Sequence, residues 1–195
     1  MCRNKGVLLI LAGPSGVGKG TVLGCLKEMG HDFFLSISAT TRAPRPGEVE
    51  KGSYIFLDKE EFQARIARHA FLEYAQYLDE FYGTPEEPVE AGLQEGRDCI
   101  LEIDVQGAFQ VKEKRPDAVM VFMLPPSMEE LEKRLRGRGT ETEDKITRRI
   151  ARAAEECGQA DRFTYQVTNL DAQEAARQLH EILCREREKG ACGVC

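Results

Sequence analysis

The sequence predicts an α/β fold: a parallel sheet flanked by helices, with a small mixed α/β lobe inserted into it and a helical lid. Short apolar runs rich in β-branched residues alternate with segments of helical period, which is typical of a parallel sheet covered by helices. Residues 36–95 break this alternation with short strand-like runs, prolines and many polar residues. Residues 127–157 hold two helical segments joined by a glycine-containing turn.

The predicted core elements follow one another along the chain. Apolar runs at 7–12, 100–103, 119–124 and 165–168 are predicted to be buried strands, and segments 19–29, 106–114 and 172–188 to be helices. The expected division is a core of residues 1–35, 94–126 and 158–190, a lobe of 36–93, a lid of 127–157 and a tail of 191–195. Together they form one folding unit, as a chain of 195 residues allows.

The two lid helices have clear start signals. Ser127 with Glu130, and Thr140 with Glu143, have the spacing of capping boxes. The second helix carries a basic stripe at helical spacing, formed by Lys145, Arg148, Arg149 and Arg152. A stripe of this kind is usually a solvated face, and that interpretation is accepted for Lys145 and Arg152.

Composition limits the classes of function. The formal net charge of −6 argues against a nucleic-acid polymer as partner, and no apolar run is long enough to span a membrane. The expectation is a cytoplasmic protein without a signal peptide, as a monomer or weak homo-oligomer. The terminal Cys192-x-x-Cys195 is compatible with half a zinc site, a redox pair or a frayed tail. The interpretation as a frayed tail is favoured. His31, His69 and His180 are isolated along the sequence and receive no catalytic role.

A phosphate-binding loop follows the first strand. The loop runs Gly13-Pro14-Ser15-Gly16-Val17-Gly18-Lys19-Gly20 and leads into a helix, the context in which G-x-x-x-x-G-K binds nucleoside triphosphates. Backbone N–H groups and the helix N-terminus would hold the phosphates, and Lys19 would supply a positive charge. The sheet is therefore predicted to be of the P-loop NTPase type. Gly20 stands where Ser or Thr usually contacts Mg²⁺, and the hydroxyl comes one place later at Thr21.

A second anion site is predicted in the lobe. Arg42 and Arg45 bracket Pro44, which restricts the backbone between the two guanidinium groups. Two arginines held in this way can grip one phosphate through paired charge-assisted hydrogen bonds.

With these motifs, the sequence closely resembles the guanylate kinase family. The resemblance covers nearly the whole chain except the last dozen residues, with its motifs in family order. Those motifs are the phosphate loop, the run from Ser36 to Glu48, Tyr54, Phe71-Leu72-Glu73, Phe81-Tyr82-Gly83-Thr84, Glu102-Ile103-Asp104-Val105-Gln106-Gly107, Arg136 to Thr142 and Val167-Thr168-Asn169. Two positions depart from the family pattern: Glu102 replaces the usual Asp, and Phe81 stands where a second Tyr is common.

The resemblance implies transfer of the γ-phosphoryl group of ATP, with Mg²⁺, to GMP bound in the lobe. It implies that the GMP phosphate is bound by Arg42, Arg45, Tyr54 and Tyr82, and the guanine by Ser38, Glu73, Thr84 and Asp104. It places ATP on the phosphate loop from Gly13 to Thr21 and near Asn169, with Lys19, Arg134, Arg138 and Arg149 as catalytic cations. No firm protein ligand for Mg²⁺ is implied: ATP and water would hold the ion, with Thr21 and Glu102 as candidate contacts.

Two other functions stay open on the sequence. Kinase-like domains of this family also act as binding modules for phosphorylated peptides, typically with a damaged phosphate loop and lid, whereas Lys19, Arg138 and Arg149 are present here. A relative that phosphorylates another acceptor, such as a ribose bisphosphate, would not need both Glu73 and Asp104.

Overall fold

The computed structural model describes residues 5–45, 47–49, 52–77, 79–137 and 143–192. In chain order its strands are β1 (Leu8–Ala12), β2 (Phe33–Leu35), β3 (Ala39–Thr40), β4 (Ile55–Phe56), β5 (Phe71–Tyr77), β6 (Glu80–Pro85), β7 (Asp98–Glu102), β8 (Val119–Leu124) and β9 (Tyr165–Thr168). Its α-helices are α1 (Lys19–Glu28), α2 (Lys59–Ala67), α3 (Glu86–Gln94), α4 (Val105–Lys114), α5 (Met128–Arg136), α6 (Glu143–Cys157) and α7 (Ala172–Cys192).

The larger sheet is parallel, with strand order β2-β7-β1-β8-β9. Strand β1 lies at its centre and is buried along its whole length, because helices cover both faces of the sheet. Leu9 and Leu11 pack in one apolar cluster with residues of α1 and α7. Leu8 and Ile10 pack on the other face, with residues of α3 and α4. The predicted parallel α/β core is confirmed.

The core strands lie within one or two residues of their predicted positions, but the last helix is longer than predicted. Helix α7 continues to Cys192, whereas the sequence pattern predicts a helix only to residue 188. Helix α1 begins at Lys19 as predicted, and Gly30 follows its end with φ 84°. A positive φ after a helix favours glycine, which explains why the helix ends there.

The smaller sheet forms the inserted lobe, with strand order β4-β3-β6-β5. Strand β3 pairs parallel with β4 and antiparallel with β6, and β5 with β6 forms an antiparallel hairpin. Its small core contains Phe62 stacked between Phe71 and Phe81, at centroid distances of 4.5 and 5.4 Å. Phe81 therefore packs inside the lobe, where its ring needs no hydroxyl partner.

Helix α3 packs differently from the expected division of the chain. The expected lobe, residues 36–93, includes most of α3. Val89 and Leu93 of this helix are nevertheless buried in the cluster under the larger sheet, together with Leu101. The physical reason is the apolar face of α3, which covers β7.

The two lid helices pack through Leu131 and Leu135 of α5 and Ala153 of α6. The Ser127 hydroxyl caps α5 by accepting from the Glu130 N–H at 3.2 Å, as predicted. The Glu130 carboxylate instead accepts from Arg134 Nε at 3.3 Å. The predicted second cap at Thr140, the turn with Arg138, and Cys195 lie outside the described residues. None of the helices within the described ranges is both long and apolar enough to cross a membrane.

Candidate functional site

The carboxyl ends of the parallel strands carry the candidate site, the usual location in open α/β sheets. The loop after β1 lies at this edge, and two of its glycines are required by contacts. Gly13 has φ 146°, and a Cβ there would lie 2.4 Å from the Met123 carbonyl oxygen. Gly18 has φ 101°, and a Cβ there would lie 2.5 Å from Asn169 Nδ2. The loop is thus packed against β8 and against the residue that follows β9.

Lys19 lies at the start of α1 and turns back into the loop. Its Nζ donates to the Gly13 carbonyl at 2.7 Å and, at 3.4 Å, to that of Pro14. Burial lowers the pKa of Lys19, and the nearby charges of Glu102, Glu156 and Asp104 oppose that effect. The ammonium group is therefore held between the loop and a group of carboxylates.

The carbonyl of Val17 anchors the loop to two other elements. It accepts from Asn169 Nδ2 at 2.7 Å and from Arg134 Nη1 at 3.3 Å. Arg134 Nη2 also donates to the Asn169 carbonyl at 3.4 Å. Asn169 is buried, so its side-chain amide stabilises the loop through a hydrogen bond that is shielded from solvent. The sequence singled out both residues for nucleotide chemistry but gave no sign of this contact.

Replacing Asn169 by alanine should lower the free energy of unfolding by about 1–3 kcal/mol, because a buried carbonyl loses its best donor. The loop should also become less ordered, so KM for a triphosphate bound at this loop should rise more than KM for an acceptor bound in the lobe. Leu170→Ala is the matched control, since Leu170 is adjacent and 75% exposed. Denaturant unfolding and steady-state kinetics would measure both effects, and an Asn169→Ala protein as stable as Leu170→Ala would contradict the role.

Arg42 is positioned in the lobe by a carboxylate that sequence reasoning left without a role. Its Nη2 donates to both oxygens of Glu48 at 3.0 Å. Glu48 also accepts from the backbone N–H of Arg45 at 2.7 Å. These donors, the Arg45 N–H first, hold the pKa of Glu48 below its usual value. Glu48 therefore fixes the segment that carries both arginines.

Two tyrosines stand beside Arg42. Its guanidinium carbon lies 5.5 Å from the Tyr54 ring centroid, and the rings of Tyr54 and Tyr82 are 6.3 Å apart. Arg45 is exposed, and its guanidinium group has no hydrogen-bond partner among the described residues. Three of the four residues predicted to bind the acceptor phosphate thus form one cluster, and the fourth adjoins it through Glu48.

Glu73 and Thr84 meet across the β5–β6 hairpin. The Thr84 hydroxyl donates to Glu73 Oε1 at 2.6 Å, and both side chains are buried. Burial raises the pKa of Glu73 to about 6; the Asp104 charge adds to the rise and the Thr84 hydrogen bond opposes it. Ser38, the remaining predicted base contact, is half-buried just before β3.

Asp104 connects helix α4 to lid helix α6. Its Oδ1 accepts from the Gly107 N–H at 2.9 Å and caps α4. Its Oδ2 accepts from Arg152 Nη2 at 3.2 Å, and Arg152 Nε donates to Glu156 at 2.8 Å. The interpretation of Arg152 as part of a merely solvated face is therefore wrong. Its side chain is half exposed, but it joins lid helix α6 to a predicted guanine contact.

The other predicted lid cations differ in how the structure places them. Arg134 lies on α5 against the phosphate loop, as described above. Arg149 lies half-buried on α6, one turn before Arg152. Arg138 lies outside the described residues.

Candidate contacts for a metal ion are few. Glu102 is exposed at the end of β7 near Lys19, and Thr21 is exposed on the first turn of α1. Across the described ranges, no cluster of three or more His, Cys, Asp or Glu side chains suits a metal ion. A carboxylate and a hydroxyl at these positions fit an ion whose other ligands are phosphate and water, as is usual for Mg²⁺.

Comparison with known proteins identifies close relatives. The family model described as guanylate kinase matches residues 5–186. A guanylate kinase of Caldanaerobacter subterraneus subsp. tengcongensis is 48% identical over 95% of this chain and 90% of its own length. One from Synechocystis sp. is 50% identical, covering 93% of this chain and 95% of the relative.

Solved structures agree with these matches. The crystal structure of guanylate kinase from Anaplasma phagocytophilum has a TM-score of 0.73 and 34% identity, covering 96% of this chain and 89% of that chain. A gluconokinase from Sinorhizobium meliloti 1021 has a TM-score of 0.52 and 17% identity, covering 99% of each chain, and this likeness shows the fold alone.

Proposed function

This chain belongs to the guanylate kinase family, and from that premise we propose that it transfers the γ-phosphoryl group of ATP to GMP, giving ADP and GDP. The observation that carries the proposal is the buried Glu73, held by Thr84 beside Asp104. Guanine presents N1–H and a 2-amino group as donors, and two carboxylates can accept both. Adenine lacks this pair of donors, so the buried Glu73 carboxylate would lose a donor that guanine supplies, which favours GMP over AMP by about 10²-fold or more.

The acceptor phosphate binds at the cluster of Arg42, Tyr54 and Tyr82. Arg45 contacts the same phosphate from the solvent-exposed side. Glu48 holds Arg42 through two hydrogen bonds, so part of the guanidinium fork is already oriented. A pre-oriented arginine loses less conformational entropy when a phosphate binds.

The phosphate loop and Lys19 bind the triphosphate, and Arg134, Arg138 and Arg149 add positive charge from the lid. Phosphoryl transfer proceeds through a loose transition state, so positioned cations supply most of the catalysis. Thr21 and Glu102 are candidate contacts for a Mg²⁺ ion that ATP phosphates and water would hold, and such an ion would supply further charge neutralisation. Closing the lid over both nucleotides excludes water, which would otherwise accept the phosphoryl group.

The decisive assay measures ADP formation by purified protein with MgATP and each of GMP, AMP, CMP and UMP. We expect turnover with GMP alone. GMP binding without turnover would identify a binding module instead. Absence of both binding and turnover would show that the acceptor is wrong.

Arg152→Gln should raise KM for GMP about threefold, because a half-exposed ion pair contributes roughly 0.2–1 kcal/mol. The loss should affect GMP because Arg152 orients Asp104 Oδ2 and offsets the charge of that carboxylate. KM for ATP should change little, and Arg152→Lys should restore part of the loss. Arg148→Gln is the matched control, being exposed on the same helix. Equal changes in both KM values would contradict a role specific to the acceptor.

A further inference from the structure

Two histidines touch at the edge of the sheet opposite the candidate site. The interpretation of His31 and His180 as isolated is wrong: their Nδ1 atoms lie 2.9 Å apart, although 149 residues separate them. His31 precedes β2, and His180 lies on α7. The rings meet edge to face, with centroids 5.0 Å apart.

A buried carboxylate sets the hydrogen-bond direction of this pair. Asp98 is fully buried, and its Oδ1 accepts from the Val7 N–H at 2.8 Å and from Arg187 Nη2 at 2.7 Å. Its Oδ2 lies 3.0 Å from His31 Nε2. A carboxylate paired with a guanidinium group only accepts, so His31 in its neutral form donates through Nε2 and keeps a lone pair on Nδ1.

The same hydrogen-bond direction continues through His180 to a cysteine thiol. With the Nδ1 of a neutral His31 accepting, His180 donates through its own Nδ1, which leaves the lone pair of its neutral ring on Nε2. That Nε2 lies 3.6 Å from Cys184 Sγ, one turn later on α7. Cys184 is exposed, so the structure directs a base at an accessible thiol.

The other described cysteines lack this arrangement. Burial raises the pKa of Cys99 to about 11 and also raises that of Cys157. Cys25 is half-buried between α1 and α7. Of the four cysteines whose side chains the structure describes (Cys25, Cys99, Cys157 and Cys184), only Cys184 has a histidine nitrogen at hydrogen-bond distance.

We propose that Cys184 is an activated thiol and a modification site for small hydroperoxides, served by His180, His31 and Asp98. His180 Nε2 takes the thiol proton. The imidazolium that forms stays hydrogen-bonded to His31, whose own Nε2–H donates to Asp98. The thiolate sulfur attacks one peroxide oxygen: an S–O bond forms and the O–O bond breaks. The leaving hydroxide, or the alkoxide of an organic hydroperoxide, takes the proton back from His180, giving a sulfenic acid and water or an alcohol. Sulfur is oxidised and the peroxide is reduced.

Site-resolved alkylation by iodoacetamide at neutral pH, followed by peptide mass spectrometry, tests the activation. In the full chain, His180→Gln should slow alkylation of Cys184 about fivefold or more, because the thiolate is the reacting form. Alkylation of Cys25 should stay unchanged, which serves as the internal control for an intact fold. Hydrogen peroxide with a sulfenic-acid trap should label Cys184 in the wild-type chain and much less in His180→Gln.

An unchanged rate at Cys184 in His180→Gln would overturn the proposal, as would failure of peroxide to give trapped sulfenic acid there. His31→Leu tests the longer relay: with Cys25 at its wild-type rate, alkylation of Cys184 should again slow. If only His180→Gln slows it, the relay beyond His180 is overturned. ADP formation with GMP should not change in His180→Gln, because the pair lies at the opposite edge of the sheet.

Discussion

Lys19→Met should lower kcat by about 10³-fold or more while leaving the fold intact. The side chain lies inside the phosphate loop, where its ammonium group donates to the Gly13 carbonyl at 2.7 Å. In phosphoryl transfer the same charge would stabilise the oxygens of the moving group, and methionine offers comparable length without charge. Partial burial already disfavours the charged form of Lys19, so removing this positive charge should not destabilise the protein.

The measurement is steady-state ADP formation with saturating MgATP and GMP, with thermal unfolding in parallel. Lys27→Met is the matched control, because Lys27 lies exposed on the same helix. We expect it to keep wild-type kcat. A Lys19→Met protein that retains more than a tenth of that rate would show that the loop lysine does not act on the transferred phosphoryl group.

The core could be predicted because its signals are local. Strand β1 is an unbroken apolar run, and the glycines and lysine of the loop follow it directly in the sequence. The lobe and lid were recognisable because their residues interrupt this rhythm. Helix α3 was harder to place, since its helical pattern does not reveal that Val89 and Leu93 pack under the larger sheet.

Contacts between distant segments could not be predicted in the same way. Arg152 belongs to a basic stripe whose spacing fits a solvated face, and only the packing of α6 brings it to Asp104. Asn169 reaches the Val17 carbonyl across 152 positions of sequence. Residue type, spacing and the family resemblance therefore predict the site residues, whereas the contacts that hold these residues in place depend on tertiary geometry that no local pattern records.

Glu73→Gln should lower kcat/KM for GMP by about 10²-fold or more, because a carboxylate oxygen facing the guanine donors is replaced by an amide that also donates. The Thr84 hydroxyl can still donate to the remaining amide oxygen, so the hairpin should keep its geometry. Kinetics with GMP and AMP would measure the loss of discrimination. Glu87→Gln, an exposed change on α3, is the control.

The same substitution should stabilise the protein at neutral pH. Glu73 has a pKa of about 6 in the folded chain against a reference value of 4.5. The folded state thus binds the proton more tightly, and this contribution is complete below pH 4.5 and lost as pH rises through 6. Glutamine does not titrate, so above pH 6 Glu73→Gln should be more stable than the wild type by up to about 2 kcal/mol.

Activity should show the opposite dependence on pH. The proposed guanine recognition needs the ionised carboxylate, so wild-type kcat/KM for GMP should rise as pH increases through about 6. The rise should be smaller in Glu73→Gln, where the substrate phosphate still titrates at about pH 6. Denaturant unfolding at pH 5 and pH 7.5, with kinetics across the same range, would measure both quantities. Stability lower than wild type at pH 7.5 would mean that the buried charge is stabilised in the fold. A gain in stability together with a loss of GMP turnover would mean that this buried carboxylate destabilises the fold and is retained for guanine recognition.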